Sequence, residues 1–124
     1  MRNTMQHPRP GISRLYASSG CLLAAAAVAL AAYSAHGVTG EAQSRLAKAA
    51  AIAFAHGLAL AALAGHTERV LKSIALGALL LGTVLFSGSL AGAALRDYST
   101  AAAPLGGMLL IGGWLLLAVH SLRR

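Results

Sequence analysis

The 124-residue chain holds three acidic residues, three prolines and one cysteine, and only 10% of it is charged. Soluble domains carry about 25% charged residues, so this chain has too little charge to cover a water-facing surface. The single Cys21 excludes a disulfide framework and a cysteine-based zinc site. Glu41, Glu68 and Asp97 all fall in breaks between apolar runs. Paired carboxylates for acid–base chemistry inside a bilayer are thereby missing. The sequence also lacks a nucleophile–base motif and a glycine-rich phosphate loop.

What the chain has is apolar bulk. The hydrophobic fraction is 57%, and 29 Ala and 23 Leu fill 52 of the 124 positions. Mean hydropathy is +0.68. A small soluble domain buries only about 60–70% of its unfolded surface, which could not hide this content. Disorder is excluded for the opposite reason, since disordered chains are poor in apolar residues. An integral membrane protein remains, with the lipid bilayer as its first partner. A net charge of +7 would suggest nucleic acid in a soluble protein. Here the basic residues stand at the ends of apolar runs, where topology signals stand, and no nucleic-acid partner is expected.

A hydrocarbon core of about 30 Å needs about 20 helical residues. Leu15 to Ala35, Ser73 to Leu95 and Tyr98 to Val119 supply 21, 23 and 22 residues without charge. Ala49 to Gly65 supplies 17 and contains His56; it reaches full length if Arg45 and Lys48 snorkel toward the headgroups. The expected fold is all-α, a four-helix transmembrane bundle with short loops and approximate spans 15–35, 46–65, 71–95 and 101–121. It forms one membrane domain over 14–122, preceded by a disordered cytoplasmic arm over 1–13. The first helix reads as uncleaved, because a cut after Ala35 would leave bulky Tyr33 where a small residue is needed. Thr67 is expected to cap the third helix, and Pro104 to sit in the first turn of the fourth.

Arg2, Arg9, Arg14, Arg69, Lys72, Arg123 and Arg124 would share one face, against Arg45, Lys48 and Arg96 on the other. The positive-inside rule then puts both termini in the cytoplasm. In lipid, small residues that let backbones approach hold helices together, and Gly82, Gly88, Gly92 and Gly113 are the candidate packing positions. Gly88 and Gly92 form a GxxxG pair. Trp114 lies mid-span, packed against other helices. His56 is the one ionisable side chain inside a span, and such residues face the protein interior. A second helix starting near Lys48 puts His56 about 12 Å deep, at the level of Ser87. A His56–Ser87 hydrogen bond follows. His36, His56, Ser87, Ser89, Gly106 and Gly107 together would make a polar pocket in the outer half. No catalytic, metal-binding or cofactor-binding residue is assigned.

Several strings carry a family resemblance: Ala35-His36-Gly37, His56-Gly57-Leu58-Ala59, Phe86-Ser87-Gly88-Ser89-Leu90, Pro104-Leu105-Gly106-Gly107 and Gly113-Trp114. In order and spacing, across residues 20 to 120, they resemble the domain of unknown function 423 family. These are small inner-membrane proteins related to transmembrane protein 256. The resemblance implies four helices and an integral inner-membrane location, bacterial in type, and no established activity. The expected function is a non-enzymatic accessory or partner-binding bundle, within a larger membrane complex or a homo-oligomer. Two alternatives stay open. One is an oligomeric small-solute transporter or channel lined by His56, Ser87 and Ser89. The other is a haem- or metal-binding redox subunit using His36 and His56.

Overall fold

The computed structural model describes residues 10–65 and 70–123. They form four helices: α1 (Pro10–His36), α2 (Gly40–Leu63), α3 (Val70–Arg96) and α4 (Ala102–Arg123). Each is long and apolar enough to cross a membrane. Even the shortest, with 22 residues, spans about 33 Å at about 1.5 Å per residue. The protein is an all-α, multi-pass membrane protein. The expected arm residues 1–9, as well as His66, Thr67, Glu68, Arg69 and Arg124, lie outside the described residues.

Two helices begin earlier than the apolar spans suggest. Helix α1 starts at Pro10, so residues 10–13, expected in the arm, are helical. Proline is favoured at a first helical position, where its missing N–H costs nothing. Helix α2 starts at Gly40 rather than near residue 46. Glu41, Arg45 and Lys48 interrupt an apolar run, but they do not interrupt a helix. Glu41 sits in the first turn of α2, where a carboxylate meets the positive end of the helix dipole. It pairs with Arg45 one turn on at 3.5 Å. Gly40 has φ +68, a left-handed conformation that glycine adopts without strain. Pro104 lies in the first turn of α4, as expected.

The helices pack in chain order: α1 along α2, α2 along α3 and α3 along α4. Helix α1 brushes α3, and the backbones of α1 and α4 make no contact. The seams are set by glycines. A Cβ on Gly20 would lie 2.5 Å from the Gly57 carbonyl oxygen, and one on Gly57 would lie 2.6 Å from that of Gly20. These helices therefore touch backbone to backbone. Gly82 and Gly106 repeat the device between α3 and α4, each facing the other's carbonyl oxygen at 2.8 Å. Gly113 faces the Leu79 side chain at 2.8 Å. Leu60, Leu76, Leu79, Leu110 and Leu117 fill the space around these contacts.

Two of the four expected packing glycines act differently. Gly88 is exposed and a Cβ there would meet nothing within 4 Å, so the Gly88–Gly92 pair is no seam between helices of one chain. Gly92 makes room for its own chain end. A Cβ on it would meet the Tyr98 ring at 3.0 Å. That ring folds back where Asp97, with φ 57, turns the chain out of α3. The Tyr98 N–H donates to the Gly92 carbonyl at 3.2 Å.

Candidate functional site

Polar groups inside hydrocarbon must find partners within the protein, and the four buried polar residues here do; the Ser13 Oγ near the start of α1 is a buried atom without a partner. His56, Thr83, Ser87 and Ser34 are all buried. Helix α2 presents His56 inward between Ala53 and Leu60, one turn from each, on a face of small residues. Trp114 Nε1 on α4 donates to His56 Nε2 at 3.0 Å. An indole nitrogen only donates, so His56 Nε2 must accept. The proton then sits on Nδ1, which lies 2.8 Å from the Ile52 carbonyl one turn back. The imidazole is therefore held as its neutral Nδ1–H tautomer with both nitrogens occupied. The rings meet edge-on, with centroids 5.8 Å apart, a favoured aromatic geometry.

The expected His56–Ser87 bond does not form. Ser87 Oγ donates instead to the Ala49 carbonyl at 2.9 Å, across the α2–α3 seam. The error lies in depth. With α2 starting at Gly40, His56 stands about 24 Å along the helix and only about 10 Å from its far end. It belongs to the half of the bundle nearer the α2–α3 connection. The six residues expected to share one pocket are accordingly dispersed. His36 is exposed at the end of α1, and Ser89 Oγ reaches the Ser99 carbonyl at 3.3 Å on the exposed α3–α4 turn. Gly106 is a packing residue, and Gly107 lies under the Phe86 ring. His36 and His56 of one chain cannot grip one haem iron, because about 24 Å of α2 separates them. Among the described residues no three His, Cys, Asp or Glu side chains gather as a metal site.

Other polar ties escaped the sequence. Ser34 Oγ donates to the Gln43 carbonyl and Gln43 Nε2 donates to the Ser34 carbonyl, both at 2.9 Å. This reciprocal clasp closes the α1–α2 end. The Tyr16 hydroxyl donates to the Ser73 carbonyl at 2.8 Å, joining α1 to α3. Thr83 donates back to the Leu79 carbonyl within α3 at 2.7 Å. The missed His56–Trp114 pair had one usable signal. A mid-span indole N–H needs an acceptor, and His56 was the ring residue inside a span able to provide one.

The family described as "Protein of unknown function (DUF423)" matches residues 30–107, from the last turns of α1 into the first turns of α4. The match covers more than half of the chain, and the protein belongs to this family. No curated protein and no solved structure matches it.

Proposed function

We propose that this protein is a non-enzymatic accessory bundle of a bacterial inner membrane, holding a partner or a further copy of itself through its outer helices. The observation that carries this reading is the closure of the buried polar residues in its interior, with Ser13 Oγ near the start of α1 the lone unpartnered buried atom among the described residues. His56, Ser87, Thr83 and Ser34 are each hydrogen-bonded within the bundle, which leaves no row of free polar groups to pass a solute or a proton. The outer faces of α1 and α4 meanwhile present large apolar side chains, among them Leu15, Leu22, Met108, Ile111 and Leu115. The transport reading is weaker, because His56, Ser87 and Ser89 point to three different neighbourhoods.

Isolation from native membranes in mild detergent tests the proposal. The chain is expected in an assembly larger than one copy. A lone monomer that conducts a solute in proteoliposomes, with flux lost in His56→Ala, would overturn it. The orientation proposed puts both termini in the cytoplasm and rests on seven basic residues against three. Alkaline-phosphatase fusions after residue 40 or 98 should be active and one at the C-terminus inactive; the reverse pattern would invert the topology.

A further inference from the structure

The two cations of α2 occupy an unusual place. Arg45 and Lys48 lie about 8 Å and 12 Å along a helix of 24 residues, inside a candidate membrane span rather than in a connecting loop. Long Lys and Arg side chains near the end of a span reach toward the headgroup level, where lipid phosphates lie. Arg45 is paired with Glu41, whose side chain is 78% exposed. Among the described residues Lys48 has no carboxylate partner. Helices α2 and α4 both lean on α3 with their backbones apart, meeting through His56 and Trp114 nearer the other end, and this leaves a groove of about 460 Å³ between them. Arg45, Lys48, Glu41 and Ser44 line one wall, Phe86 and Leu90 the floor, and Thr100 and Pro104 the far side.

We infer that this groove seats an anionic membrane phospholipid, its phosphate between Arg45 and Lys48 and an acyl chain along Phe86 and Leu90. Two cations and one carboxylate leave a single positive charge, which one phosphodiester neutralises. The hydroxyls of Ser44 and Thr100 are additional donors at the groove's rim, and guanidinium and ammonium groups are the usual partners of phosphate oxygens. The apolar floor lies beside these cations, since Ser87 next to Phe86 bonds to Ala49 next to Lys48, so apolar and charged surface meet in one groove. A phosphate alone would have no use for Phe86 and Leu90, so the lipid is favoured over a free anion.

Native mass spectrometry of the full-length protein in detergent tests this with three probes: phosphatidylglycerol, phosphatidylcholine and inorganic phosphate. One phosphatidylglycerol should stay bound in preference to phosphatidylcholine. Lys48→Gln and Arg45→Gln should each weaken that binding about fivefold, while Lys48→Arg retains it. Unchanged helical circular dichroism would show that the variants are folded. Equal retention of the two lipids by the wild-type protein would refute the site, without recourse to any variant. Equal binding in the folded Gln variants would do the same. Competition by millimolar inorganic phosphate as effective as that by phosphatidylglycerol would make it a soluble-anion site and overturn the lipid assignment.

Discussion

The α1–α2 pair and the α3–α4 pair meet the same difficulty with different materials. Lipid tails are as apolar as leucine, so neither pair gains from hiding apolar side chains from its surroundings. In the first pair the buried residues of α1 are Gly20, Ala27 and Ser34, seven apart and all small. Gly20 rests against Gly57, Ser34 clasps Gln43, and buried Ala27 and Ala50 fall midway. The second pair also has a backbone contact, Gly82 on Gly106, but surrounds it with Leu76, Leu79, Leu110 and Leu117. Backbone proximity and two hydrogen bonds carry the first seam, and side-chain interlocking shares the load in the second. The first seam should therefore tolerate less.

Substitutions can break that contrast. Gly57→Ala should be the most damaging, at about 3 kcal/mol, because its Cβ would meet the Gly20 carbonyl, which cannot yield without parting the helices. Gly106→Ala should come close behind, since it meets the Phe86 backbone nitrogen at 2.5 Å, but the leucines can repack around it. Gly113→Ala should cost about 1 kcal/mol, since the Leu79 side chain can rotate aside. Thermal unfolding in one detergent ranks all three, and a Gly57→Ala loss no larger than that of Gly113→Ala would erase the proposed difference. Trp114→Phe removes the donor to His56 Nε2 and should cost about 1 kcal/mol. Nitrogen-15 chemical shifts of His56 should report the Nδ1–H tautomer in the wild type and lose that fixed pattern in the variant. Gly88→Ala should change stability by less than about 0.5 kcal/mol, which sharpens the rule that a glycine matters by what it faces.

The four spans were readable because hydrocarbon thickness imposes a length and apolar composition shows it. The family was readable from the short glycine-, histidine- and serine-containing strings, and of the candidate packing glycines Gly82 and Gly113 lie against α4 and α3. The helix ends were not, because a charge that ends an apolar run, as Arg45 and Lys48 do, can lie well inside a helix. The shift of the α2 start from near Lys48 to Gly40, eight residues or about 12 Å, misplaced His56 against Ser87 and takes it out of the expected pocket. The GxxxG spacing of Gly88 and Gly92 says that two small residues share a face; it does not say what that face meets. Gly20 and Gly57 lie in different helices, and only the antiparallel register of α1 and α2 puts them opposite each other.

The serial order of the helices bears on how the protein is made. Each span leaving the translocon finds most of its docking surface on the span synthesised just before it, so no segment waits long in lipid without a neighbour. The exception is the imidazole of His56, whose Nε2 acceptor remains unoccupied until the last helix delivers the indole of Trp114. That bond links the second helix to the fourth, and it can form only when biogenesis is complete.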